Sequence, residues 1–148
     1  MNNLDEIVKC KKCKQDVRYG DMIWLDSECL CPNCYKYKRT IYDILKKLGI
    51  NYSSEGFKLW YMAIDIYDYK MGMDKIYRIL AYKFDISYNA VERPMRYVVK
   101  NSAKKIQEYF NYNAKVDCKT FLNLITREGE VNKWKSLRNG LDQQVLEQ

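Results

Sequence analysis

The clearest pattern of hydrophobic and polar positions lies in Asp74–Asn101. Asp74 is a plausible N-cap, and the apolar residues that follow it recur at helical spacing until Asp85–Ser87 interrupts them. Ser87 can cap a second helix, because serine commonly occupies that position. The apolar stripe of this second helix consists of Val91, Met95, Val98 and Ser102. Two helices separated by a short break predict a helix-turn-helix.

The opposite face of the second helix, about residues 87–100, is polar and basic. Asn, Glu and Arg side chains recognise base edges in the major groove, whereas Tyr and Lys mostly contact phosphates. The pattern therefore predicts sequence-specific binding of double-stranded DNA. The candidate DNA-binding residues are Ser87, Tyr88, Asn89, Glu92, Arg93, Arg96, Tyr97 and Lys100.

Four other segments have helical periodicity. Residues 40–48 are amphipathic and end at Gly49, a plausible C-cap. Ser53 or Ser54 opens a longer helix, whose aromatic residues at helical spacing indicate core packing rather than base stacking. Ser102 is a candidate cap for a short, separate basic helix. Residues 117–126 offer a docking face made of Phe121, Leu122 and Ile125.

The same region resembles a known family of DNA-binding domains. The run from Ala81 to Tyr97, AYKFDISYNAVERPMRY, resembles the helix-turn-helix of stage-zero sporulation protein A, the master response regulator of endospore formation. That family has an Ile-Ala-x-Lys-Tyr…Val-Glu-Arg-Ala-Ile-Arg-His pattern. The likeness covers about residues 39–128, including IYDILKKLGI and GFKLWYMAI upstream. It implies a helical DNA-binding domain whose final helix helps two copies contact each other on tandem sites.

Three features of the chain depart from the family pattern. Ala90 stands where the family has an Arg, so one base or phosphate contact is expected to be missing. Pro94 removes the hydrogen bond to the carbonyl of Ala90, at a cost of about 3 kcal/mol. This predicts a kink there, or a helix that begins only near Arg93. The family's receiver domain is absent, so we expect no switch based on phosphorylation of an aspartate.

The N-terminal segment carries a separate motif of four cysteines. Two Cys-x-x-Cys pairs are separated by 17 residues, and four thiolates at this spacing can enclose a tetrahedral structural Zn²⁺. The absence of histidine restricts the site to sulfur ligands. Cys29 could replace Cys31, although a knuckle needs two residues between its ligands; free or redox-active thiols are the alternative. The predicted zinc ligands are Cys10, Cys13, Cys31 and Cys34.

The residues around the cysteines predict a small finger. Alternating residues indicate a hairpin that turns at Gly20 and Asp21, and Pro32 can begin a helix. A hairpin followed by a ligand-bearing helix is the order of a treble clef or zinc ribbon. The basic residues near the first pair either contact DNA phosphates or offset the charge of the thiolates. They are Lys9, Lys11, Lys12, Lys14 and Arg18.

The fold class predicted from these patterns is mainly α, with a small β-hairpin zinc module at the N-terminus. We expect a four-cysteine finger in residues 1–38 and a helix-turn-helix domain in residues 39–128. Residues 129–148 form a polar tail, in which Val131, Trp134 and Leu137 could form one more helix.

Composition narrows the function. The chain has 148 residues, a net charge of +7 and 47% hydrophobic residues, as expected of a folded protein that binds a polyanion. The sequence contains no run of about 18 apolar residues, which is the length needed to span a membrane. No secretory signal is visible, so we expect a cytoplasmic protein.

These observations favour a transcriptional regulator. The alternative is a zinc-finger adaptor that binds or modulates another regulator, in sporulation or phage development, and Ala90 and Pro94 favour it. The chain has no histidine, no glycine-rich phosphate loop and no nucleophile beside a recognisable base. We therefore expect no enzymatic activity and no small-molecule substrate.

Overall fold

The computed structural model describes residues 3–25 and 28–130 of the chain. This part is mainly helical, with two small antiparallel hairpins and a cluster of cysteines. The chain divides into two compact units, whose boundary lies between Thr40 and Ile41. The predicted C-terminal helix around Trp134 lies outside the described residues.

Each strand of the first unit is three residues long. The first hairpin pairs Val8 with Val17, and the second pairs Trp24 with Cys29. The predicted hairpin turn at Gly20 and Asp21 is wrong. These two residues belong to a 3-10 turn that separates the two hairpins. The strands are β1 (Ile7–Lys9), β2 (Asp16–Arg18), β3 (Ile23–Leu25) and β4 (Glu28–Leu30), and the turn is Tyr19–Asp21.

Helix α1 (Pro32–Lys47) follows β4 and is one uninterrupted helix. The sequence predicted two helices here, one from Pro32 and one from Thr40. They are continuous because no glycine or proline interrupts residues 33–48, and proline is well tolerated at the first helical position. Gly49 has φ of +79°, a left-handed conformation that favours glycine, and ends the helix as predicted.

The second unit contains α2 (Glu55–Ile66), α3 (Met73–Phe84), α4 (Tyr88–Phe110) and α5 (residues 118–130). Ser54 caps α2, since its Oγ accepts a hydrogen bond from the N–H of Phe57 at 3.2 Å. The predicted cap of α3 is wrong: Gly72 holds that position, and Asp74 lies within the first turn.

Helix α4 is longer than the sequence suggested. It begins at Tyr88, so the alternative start near Arg93 is wrong, and Pro94 lies inside it. It continues without interruption to Phe110. The prediction of a separate helix that begins after a cap at Ser102 is therefore wrong. Ser102 is instead buried in the middle of α4, because it lies on the stripe that faces the core.

The core of the second unit forms between α2, α3, α4 and α5. Trp60 is completely buried, which confirms the prediction of core packing, and its ring centroid lies 4.7 Å from that of Phe121. The predicted docking face of α5 is buried as well. The other fully buried side chains include Leu59, Ile76, Leu80, Met95, Ile106, Leu122 and Ile125. Across residues 3–25 and 28–130, we find no helix with the length and apolar character that spanning a membrane requires.

Candidate metal centre and candidate nucleic-acid interface

The structure brings together the four cysteines that the sequence singled out. Their Sγ atoms all lie within 4.8 Å of one another, and those of Cys13 and Cys31 are 3.7 Å apart. A tetrahedral ion with metal–sulfur bonds of about 2.3 Å requires sulfurs about 3.8 Å apart. The four residues could therefore hold one metal ion. Cys29 is not part of this cluster.

Local backbone geometry places each ligand. Cys10 directly follows β1. Its N–H donates to the carbonyl of Gln15 at 2.9 Å, and this bond closes the loop that contains Cys13. Lys14, in the left-handed conformation at φ of 64°, tightens the same loop. Cys31 follows β4, and Cys34 lies in the first turn of α1. The first hairpin and the start of α1 thus each supply two sulfurs.

The electrostatic environment differs among the four thiols. Burial opposes ionisation of Cys10, but N–H groups of Cys13, Cys31 and Lys12 donate to its sulfur and lower its pKa to about 6. The N–H of Cys31 is 3.3 Å from that Sγ. Burial and the neighbouring sulfurs raise the pKa of Cys34. A bound cation would favour the thiolate form of all four ligands.

Two of the basic residues near the first cysteine pair, Lys9 and Arg18, form ion pairs with nearby aspartates. Lys9 Nζ is 3.0 Å from Asp16, and Arg18 Nε is 3.1 Å from Asp21. These side chains are exposed, so each pair contributes little stability.

In the second unit, three residues connect α3 to α4. Asp85 is in the left-handed conformation at φ of 52°, and the N–H of Ile86 donates to the carbonyl of Ala81 at 3.1 Å. Ser87 caps α4 as predicted, since its Oγ accepts from the N–H of Ala90 at 3.1 Å. The two helices are therefore joined by a short turn with defined hydrogen bonds.

The two faces of α4 differ as the sequence predicted. Val91, Met95, Val98 and Ser102 are all buried. The exposed candidates on the other face are Ser87, Asn89, Arg93, Arg96, Tyr97 and Lys100, whereas Tyr88 and Glu92 are partly buried.

Intramolecular contacts hold three of the candidate residues. Glu92 forms an ion pair with Arg96, one helical turn away. Tyr88 Oη donates to Asp74 at 2.9 Å, and Asp74 also pairs with Arg78 at 3.1 Å. The sequence missed this role of Asp74, because its partner Tyr88 is 14 positions away.

Four of the exposed side chains converge on one small surface depression. Its volume is about 180 Å³, and it is lined by Arg93, Arg96, Tyr97 and Lys100. Three cations and a phenol around one concavity can bind an anion such as a phosphate group.

Comparisons of the chain with models of known protein families, with curated proteins and with solved structures find no match. The resemblance to the sporulation regulator family therefore stays a prediction.

Proposed function

We propose that the protein is a sequence-specific DNA-binding transcriptional regulator. The first half of α4 lies in the major groove, where Arg93 and Arg96 contact guanine edges or phosphates and Asn89 contacts an adenine. The observation that carries the proposal is the mostly exposed polar row of α4 opposite a buried, mainly apolar stripe.

The connection between α3 and α4 supports this assignment. A turn of three or four residues between two helices is typical of a helix-turn-helix, and here the turn is Asp85–Ser87. In such a motif, the N-terminal residues of the second helix contact the bases. Asn89 and Arg93 occupy that part of α4.

Charge supports binding to a polyanion. Residues 85–115 contain six basic and three acidic side chains. Each phosphate that a lysine or arginine neutralises releases a condensed counterion, so this excess favours binding to any DNA. Sequence preference must come from the side chains that contact base edges.

The four-cysteine cluster acts as a structural Zn²⁺ site in this proposal. Four sulfur ligands and no histidine are typical of closed structural zinc sites, and a hairpin followed by a helix gives a treble-clef order. The buried cluster around the cysteines contains one non-cysteine residue, Leu30. Metal binding would therefore supply much of the stability of this unit.

Binding of the full chain to genomic DNA fragments at two salt concentrations tests the function. At low salt we expect all fragments to bind, and at higher salt a small set of related sequences to remain bound. Equal affinity for all fragments would exclude sequence specificity. A lack of binding even at low salt would exclude the DNA-binding function altogether.

A second candidate function is a zinc-finger adaptor that binds another protein. The observation that favours it is that the first unit exposes large apolar side chains: Leu4, Ile7 and Trp24 are each at least 60% exposed. Such residues are enriched in protein interfaces. Co-purification of one partner, lost in the Trp24→Ser variant and combined with no DNA binding, would favour the adaptor over the regulator.

A further inference from the structure

A groove in the second unit is not explained by either candidate function. Its volume is about 690 Å³, within the range of roughly 300–1,000 Å³ that is usual for small-molecule sites. One side is formed by α4, and the other by Met73 and the segment before and at the start of α5. The apolar residues that line it are Met73, Val99, Ala103, Val116 and Cys118.

The polar residues of the groove are mostly cationic. Four basic side chains line it, Arg96, Lys100, Lys115 and Lys119, together with a single carboxylate, that of Asp117. The carboxylate of Asp117 accepts a hydrogen bond from the N–H of Thr120 at 2.7 Å, so it already caps α5. The groove thus combines an apolar lining with an excess of positive charge.

Two of the four cations are already engaged elsewhere. Arg96 pairs with Glu92, and Lys119 donates to the carbonyl of Met71 and lies 4.6 Å from the ring centroid of Tyr67. Lys100 and Lys115 are both exposed, on α4 and in the segment before α5. Lys115 lies near enough to Asp117 to help lower the pKa of that carboxyl, which mainly accepts hydrogen bonds from Thr120. The ammonium groups of Lys100 and Lys115 are the ones best placed to receive an anionic ligand group.

We propose that this groove binds an amphipathic monocarboxylic acid with an aliphatic body, such as a medium-chain fatty acid. The apolar lining takes the aliphatic body, because burial of that surface removes it from water. Lys100 and Lys115 take the carboxylate. A ligand of one charge matches the groove better than a polyanion does, since most of the lining is apolar.

The groove shares Arg96 and Lys100 with the row of residues proposed to contact DNA. A carboxylate bound there neutralises Lys100 and adds negative charge near the phosphates. The ligand would therefore weaken DNA binding, and DNA would weaken ligand binding by the same factor. This consequence rests on the proposed function, whereas ligand binding itself does not.

Titration of the full chain with decanoate, below the concentration at which it forms micelles, tests the proposal without DNA. We expect saturable binding, with changes in the amide signals of Val99, Ala103 and Val116. Decanol lacks the carboxylate and should bind at least tenfold more weakly; inorganic phosphate, which the neighbouring depression can bind, should leave the signals of Ala103 and Val116 unchanged. No binding of decanoate, or equal binding of decanol, would overturn the proposal.

Two variants locate the site. Lys115→Gln should weaken decanoate binding at least fivefold, and Ala103→Trp, which fills the groove, should weaken it more. The matched control is Lys104→Gln, which removes the same charge from an exposed position on α4 outside the groove lining. Equal affinity of all three variants would overturn the proposed site, and Lys115→Gln keeps the test valid if Ala103→Trp does not fold.

A separate measurement distinguishes this site from the DNA-binding function. If the chain binds DNA, saturating decanoate should lower its affinity for DNA at least threefold in the wild type and not in Ala103→Trp. Unchanged DNA affinity would overturn the coupling, even where decanoate binds. If the chain does not bind DNA when decanoate is absent, the proposed function is contradicted. The decanoate titration still tests the groove, because it uses no DNA.

Discussion

The indole N–H of Trp60 donates to the main-chain carbonyl of Met95 at 3.0 Å, and both residues are completely buried. This bond links α2 to α4 one residue beyond Pro94. Trp60→Phe keeps an aromatic ring against Phe121 but loses the hydrogen bond. We expect it to reduce the free energy of unfolding, measured by urea titration, by more than about 1 kcal/mol, because the smaller ring also leaves a cavity in the core. A loss near zero would show that the bond does not stabilise the packing of α2 on α4.

Close packing of α2 on α4 depends on Gly56. A Cβ at this position would lie 2.4 Å from Cγ2 of Val98 and 3.4 Å from the carbonyl oxygen of Pro94. Val98 cannot move aside easily, because β-branched residues have one preferred rotamer in helices. Gly56→Ala should therefore destabilise the protein by about 1–3 kcal/mol, despite the better helix propensity of alanine.

The matched control for this variant is Gly72→Ala. No atom lies within 4 Å of a Cβ built at Gly72, and its φ of −83° suits any residue. Alanine is a poorer N-cap than glycine, so we expect the free energy of unfolding to fall by no more than about 1 kcal/mol. Equal destabilisation by both variants in urea titrations would contradict the steric explanation.

The proposed structural zinc site predicts one zinc ion per chain, which elemental analysis of the purified protein can measure. Loss of a residue that only supports a ligand lowers metal affinity by about 10–100-fold, so Cys13→Ser should lower it further. Because Cys29 lies outside the cluster, Cys29→Ser should retain the metal in full. Loss of zinc from Cys29→Ser, or its retention by Cys13→Ser, would contradict the ligand assignment.

The features that the sequence predicted correctly are those that depend on neighbouring residues. The two residues between the cysteines of each pair let both sulfurs face the same point, and Ser87 caps α4 through an N–H three residues away. The inner stripe of α4 follows from helical periodicity alone. Such features need no knowledge of the rest of the fold.

Several of the errors concern choices that distant parts of the chain decide. Serine often begins helices, which favours Ser102 as a cap, yet the core of the second unit buries it inside α4. Gly20 and Asp21 resemble a hairpin turn, but β2 pairs with β1 rather than with β3. The groove was not predictable either, because its lining comes from residues between 73 and 119.

The N-cap of α5 should make stability depend on pH. Hydrogen bonds from the N–H and side chain of Thr120 to Asp117 hold the pKa of its carboxyl below its usual value of 3.8. A depressed folded pKa adds stability above the unfolded pKa, and this stability is lost as the pH falls through the folded pKa. Asp117→Ala should cost about 1 kcal/mol at pH 7, and less as the pH falls below about 4.

Asp117→Asn is the matched control, because asparagine caps helices well but does not titrate. Its stability relative to Asp117→Ala should stay constant between pH 7 and pH 3 in urea titrations. If the wild type showed the same constant difference from Asp117→Ala, the carboxylate of Asp117 would not be the group that titrates.

Substitutions of Arg93 can distinguish the contribution of positive charge from that of base recognition in the proposed DNA complex. Arg93 is exposed on α4 and lines the small depression with Arg96 and Lys100. Arg93→Ala should weaken binding to the preferred site by about 1–3 kcal/mol and relax its sequence preference. Arg93→Lys keeps the positive charge but loses the planar fork that pairs with guanine. It should therefore retain the salt dependence of binding and lose the sequence preference.

Binding to a set of single-base variants of the preferred site measures this preference. If Arg93→Lys kept the wild-type preference, Arg93 would contact phosphate, and recognition of the bases would depend on Asn89 and Arg96.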